Sequence, residues 1–69
     1  MKLSARNQIK GKVLSVTHGA INSEVVLEIA PGVVITSQVT TNSVHDLGLK
    51  EGSTAYAIVK ADSVMLGIE

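Results

Sequence analysis

Arg6 stands in the run Ser4-Ala5-Arg6-Asn7, immediately ahead of an alternating apolar segment. Serine, arginine and asparagine crowd hydrogen-bond donors at the tip of a strand. Lysine or glutamate would serve there if solubility were the only need. Two further donor groups stand elsewhere in the chain. Lys60 closes a second alternating run and is followed by Ala61 and Ser63, and Ser43 stands where a short helix begins. Singly, each has a plain explanation: a solvated terminal charge, protection of a sheet edge, a helix cap. Together they suit an oxyanion. A tetrahedral dianion presents acceptor oxygens and no donor, and arginine, lysine, hydroxyl and backbone N–H groups hold it. Whether these segments meet within one chain or across a subunit interface is open at this stage.

Other chemistries find less support. No Ser-His-Asp set has the motif context of a hydrolase, so no catalysis and no catalytic cofactor is expected. His18 and His45 are the only histidines. One falls in a turn and the other on a short helix, far apart in the chain, so no site for a bare metal cation is expected. With no cysteine there is neither a disulfide nor a thiolate ligand. The formal net charge is zero and Tyr56 is the single aromatic residue. Nucleic-acid binding, which uses stacked aromatics and a basic groove, is therefore not expected.

The chain has 69 residues, enough for one domain spanning 1–69 with a marginal core. Its apolar content is high and mostly Val, Ile, Leu and Ala, without Phe or Trp. Such a core predicts self-association, a common remedy for small size. There is no signal-peptide pattern and no apolar run long enough for a membrane helix, which leaves the cytoplasm as the expected compartment.

Period-two alternation dominates and predicts strands. The first runs from Gln8 to Thr17, with Ile9, Gly11 and Val13 on one face and then Leu14 and Val16, a phase slip that predicts a bulge. A turn through His18, Gly19, Ala20 and Asn22 follows. Ser23–Ala30 places Val25, Leu27 and Ile29 inward. Pro31-Gly32 makes a hairpin to a third strand, Val33–Thr40. A short helix follows, capped by Thr41 or Asn42, with Asp46 in its first turn, Gly48 as its stop, and Leu47 and Leu49 as anchors. Ser53–Lys60 is a fourth strand and Ser63 to the terminus a fifth. Three strands, a helix and two strands predict an all-β, five-stranded OB-type barrel with a short helix between strands 3 and 4. An SH3-like barrel is the alternative, but it usually lacks that helix.

Three stretches, "SARNQIKGKV", "VTTNSVHDLGLKEG" and "AIVKADSVMLGI", resemble the molbindin (Mop) family of small molybdate-binding domains. The resemblance spans nearly the whole chain. It implies an OB-type barrel in a strand-exchanged hexamer, arranged as a trimer of dimers. It further implies that molybdate or tungstate binds between subunits, for molybdenum storage or homeostasis. One site would use Ser4 and Arg6 of one subunit, with Ser43, Lys60 and Ala61 supplied by the other. A second site, near a threefold axis, would use the turn residues His18, Gly19, Ala20 and Asn22. The alternative role is a structural or regulatory interaction module tuned by an oxyanion.

Overall fold

The computed structural model describes residues 4–69. Four strands form one antiparallel sheet: β1 (Asn7–Thr17), β2 (Asn22–Ala30), β3 (Val33–Thr40) and β4 (Thr54–Val59), in the order β3-β2-β1-β4. The helix α1 (Thr41–Leu47) lies between β3 and β4 in the chain, and a 3-10 turn, Ala61–Ser63, follows β4. No helix among the described residues is long and apolar enough to cross a membrane.

β1 is paired on both sides, with β2 and with β4. Its phase slip is a bulge. Val13 pairs with Leu27 and Ser15 with Val26, so Leu14 is the extra residue. An extra residue bends the strand and increases its twist, which is what a sheet needs in order to curl around a core. Leu14 itself is exposed, and Val16 alone returns to the inner face. The sequence expectation had placed both residues inward. The inner face carries Val13, Val25 and Leu27, and the helix covers them with Val44, 2 % exposed. Ile29, Val39, Leu49, Ala55 and Ala57 pack half-buried around this cluster.

The helix differs from expectation in its N-cap and in its anchor, and agrees at its stop. Thr40 is the N-cap, not Thr41 or Asn42, and its hydroxyl accepts from the Ser43 N–H at 3.1 Å. Thr40 is the last residue of β3 as well, and its extended backbone is the geometry an N-cap requires. Starting the helix there moves Asp46 out of the first turn, which holds no acidic residue. Gly48 ends the helix at φ +64°, as its stop signal predicts. Its N–H reaches the His45 carbonyl at 3.1 Å and the Leu49 N–H reaches that of Val44 at 3.0 Å. This paired closure, with a contact between the residues at its two ends, is a Schellman ending. It turns Leu49 toward the core and leaves Leu47 outside, 71 % exposed. Val44, rather than Leu47, is the helix's principal anchor.

The fifth strand does not form within one chain. After Ser63 the backbone has no strand partner, and Met65, Leu66 and Ile68 are 93–100 % exposed. Folding back onto β4 would take a tight hairpin turn, for which Gly, Asn or Asp at positive φ is favoured. Asp62 is the one such residue in Lys60-Ala61-Asp62-Ser63, and the segment makes a 3-10 turn instead, with no positive φ at any non-glycine residue among those described. The fold is therefore an open half-barrel, with the free edges of β3 and β4 facing across a gap. That gap is an apolar groove of about 560 Å³, walled by Ile35, Val39, Leu49, Tyr56 and Ile58 among others.

Because Val44 closes the core from above, Val44→Ala should destabilise the fold by about 2 kcal/mol, from lost apolar burial plus the cavity left behind. A denaturant unfolding curve measures this. The exposed Leu47→Ala should change stability little.

Candidate functional site

The pairing of β1 with β4 runs from Lys12↔Thr54 to Asn7↔Val59. It ends there, so the residues just before Asn7 and just after Val59 leave the sheet at the same corner. Ser4, Ala5 and Arg6 come from one side, and Lys60, Ala61 and Asp62 from the other. Together they line a pocket of about 240 Å³. The Gln8 side-chain amide holds the approaching segment by donating to the Ala5 carbonyl at 3.3 Å. On the far side, the 3-10 turn is closed by the Ser63 N–H on the Lys60 carbonyl at 2.9 Å.

Of the five residues expected at the first site, the structure brings four together: Ser4, Arg6, Lys60 and Ala61. Lys60 and Ala61 were expected to face Ser4 and Arg6 from the opposite subunit; within one chain, the antiparallel pairing of β1 and β4 already places the four residues beside one another. Asp62 was missed. It lies within the same turn as Ala61 and joins the pocket because that turn is tight. Two cationic side chains against one carboxylate leave the corner locally positive in a chain of zero net charge. Ser4, Arg6, Lys60, Ala61 and Asp62 are all exposed, so the pocket opens to solvent.

Ser43 does not line this pocket. It sits in the first turn of α1, where its hydroxyl oxygen accepts from the Thr40 hydroxyl at 2.8 Å. That contact uses a lone pair and leaves the Ser43 proton free to donate elsewhere.

The turn between β1 and β2 is fixed to the start of the helix. The Thr41 hydroxyl donates to the Gly19 carbonyl at 2.7 Å, and the Thr41 N–H donates to the Ile21 carbonyl at 2.7 Å. Since the Thr41 proton is committed to Gly19, the Ser23 hydroxyl is the donor in the 2.8 Å contact between Ser23 and Thr41. Ser23 is 2 % exposed, so this contact satisfies a buried hydroxyl. Gly19 has no room for a side chain, because a Cβ would collide with the Asn22 carbonyl. The same docking brings His18 against His45, with ring centroids 6.1 Å apart and planes inclined by 26°. Two residues expected to lie apart are neighbours, since the helix starts beside the turn rather than beyond it.

A curled antiparallel sheet with a short helix between its third and fourth strands, and a donor-lined corner between its first and fourth, defines a small open-barrel β-domain. The chain belongs to the TOBE-domain family, whose pattern matches residues 3–66, and within it to the molbindin (Mop) group. It is 51 % identical to a probable molybdenum-pterin-binding protein of Haemophilus influenzae, over the full length of both chains. Its fold is similar to that of MopII from Clostridium pasteurianum (TM-score 0.90, 49 % identity, 97 % of this chain and 100 % of that one). It is also similar to the cytoplasmic molybdate-binding protein ModG with molybdate bound (TM-score 0.94, 46 % identity, 100 % of this chain and 49 % of that one).

Thr41→Val should cost about 1–3 kcal/mol of stability, because it strands the buried Ser23 hydroxyl. Thr41→Ser should stay near wild type. Paired unfolding curves for the two variants check this.

Proposed function

We propose that this chain binds molybdate, or its near-isostere tungstate, at subunit interfaces and serves intracellular molybdenum storage or homeostasis without catalysing a reaction. The observation that carries the reading is the corner where Ser4 and Arg6 meet Lys60 and Ala61 in one chain. It is supported by the molybdate that ModG holds in a similar fold. Arg6 offers paired N–H donors to two oxygens, and Lys60 a mobile charge. Ser4 contributes a hydroxyl, and Ala61 its backbone N–H. Because the pocket is open on one side, a second subunit is needed to complete the cage, and the free Ser43 proton is our candidate for that contribution. The donors favour a fully deprotonated dianion, while the Asp62 carboxylate lining the same pocket is an acceptor for a phosphate proton. Smaller sulfate leaves donors unmet. We assign a weaker second oxyanion site to the turn of His18, Gly19, Ala20 and Asn22.

The assembly follows from the open groove. Val64, Met65, Leu66 and Ile68 form an exposed apolar tail, and the edges of β3 and β4 have no strand between them. We place the tail of one chain in the groove of another as the fifth strand, which closes residues 1–69 into a single Mop-type OB barrel. Exchange between pairs, repeated around a threefold axis, builds the hexamer as a trimer of dimers. The cytoplasm, named for ModG, is the compartment that suits this role.

Calorimetric titration with molybdate, in excess phosphate and sulfate, tests the binding. Wild type should bind despite the competitors, and Arg6→Ala should weaken the interface site roughly tenfold to a hundredfold, the loss of a charge-assisted hydrogen bond. Unchanged affinity in that variant would remove Arg6 from the site. Light scattering on a chain truncated after Ser63 tests the exchange. The truncated chain should form smaller species than the full chain, and an unchanged assembly would refute a shared fifth strand.

A further inference from the structure

We propose that Asp62 sets the anion preference of the corner between β1 and β4. Its carboxylate weakens the hold on a proton-free dianion, and it gives a hydroxyl-bearing one such as hydrogenphosphate an acceptor for its proton. The proposal deepens the oxyanion reading and rests on it.

Asp62 lines the same pocket as Arg6 and Lys60. The guanidinium and the ammonium group are donors only, whereas an ionised carboxylate only accepts. A pocket lined by donors alone would be the simplest cradle for molybdate or sulfate, neither of which carries a proton near neutral pH. A carboxylate among the donors changes this in two ways. It repels any anion, and a pocket open to solvent screens that repulsion without removing it. It also accepts a hydrogen bond from a P–OH group, a charge-assisted contact that a proton-free ion cannot make. For hydrogenphosphate the contact offsets the repulsion. For molybdate and sulfate nothing does. Two cationic donors stand against one carboxylate, so Asp62 tempers the preference for a proton-free ion without reversing it.

The fold does not require an acid at this position. Asp62 is exposed, so packing does not select it. It stands in the first turn of the 3-10 segment, where a carboxylate suits the free N–H groups. That turn closes through its backbone, with the Ser63 N–H on the Lys60 carbonyl at 2.9 Å and the Val64 N–H on the Ala61 carbonyl at 3.3 Å. A neutral residue at position 62 can therefore keep it.

The test is calorimetric titration of the intact protein with molybdate, sulfate and inorganic phosphate, each alone near neutral pH. Asp62→Asn should bind molybdate and sulfate roughly threefold to tenfold more tightly than wild type, and phosphate no more tightly. Glu51 lies between α1 and β4, just ahead of the Lys12↔Thr54 end of the β1–β4 ladder and so away from the corner. Glu51→Gln removes the same charge there and should leave all three affinities at wild type. An unchanged preference for proton-free ions over phosphate in Asp62→Asn overturns the proposal, as does an equal shift in Glu51→Gln. If neither wild type nor Asp62→Asn binds molybdate, the molybdate reading falls, and the sulfate-to-phosphate preference still decides the role of Asp62. A corner that takes none of the three ions overturns both. Circular dichroism and thermal unfolding of both variants should match wild type, so that the shift is one of binding.

Discussion

The double pairing of β1 is the constraint on which the rest of the structure depends. β1 has hydrogen bonds to β2 on one flank and β4 on the other, so each of its ends sets where a neighbouring segment goes. At its start, the last pair, Asn7↔Val59, gathers Arg6 and Lys60 at one corner. At its end, the pair Thr17↔Glu24 delivers the His18–Ile21 turn to the helix. Between them, the bulge at Leu14 supplies the bend that lets both ends curl around one core.

That core is small. Its buried apolar residues are Val13, Val25, Leu27 and Val44, without aromatic bulk. A core of this size leaves a chain of this length only marginally stable on its own. Much of the apolar surface it fails to bury lies in the groove between β3 and β4 and in the tail after Ser63. The two are complementary in chemistry: one is a pair of unpaired strand edges, the other an extended apolar segment without a partner. Exposed edges and apolar segments of this kind are where chains associate.

The corner between β1 and β4 is open to solvent as well. A chain of zero net charge has no general attraction for polyanions, yet Arg6 and Lys60 beside a single carboxylate make one spot locally positive. Specific recognition of a small dianion needs such local charge and aligned donors, not a basic surface. Ser4, Arg6 and Lys60 line the open corner, and Ser43, with a proton to spare, stands away from it.

Much of this was legible in the residues. Alternation located four strands to within a residue or two, because period two survives wherever one sheet face is buried. The bulge showed as a phase slip at Val13 and Leu14, the hairpin as Pro31-Gly32, the helix stop as Gly48. The donors Ser4, Arg6 and Lys60 were visible by type, and family resemblance grouped them. Tertiary structure decided the rest, because it depends on register and direction, which composition does not encode. Register set Lys60 and Ala61 beside Arg6 in the same chain and drew in Asp62. The cap at Thr40 and the Schellman ending chose Val44 and Leu49 over Leu47 as anchors. The 3-10 turn at Ala61–Ser63, formed in place of a hairpin, left the expected fifth strand unpaired within one chain. The docking of Thr41 on Gly19 brought together two histidines that the chain keeps far apart. A sequence determines which residues can be buried or can donate; only the folded backbone, by satisfying its own hydrogen bonds, decides which of them meet.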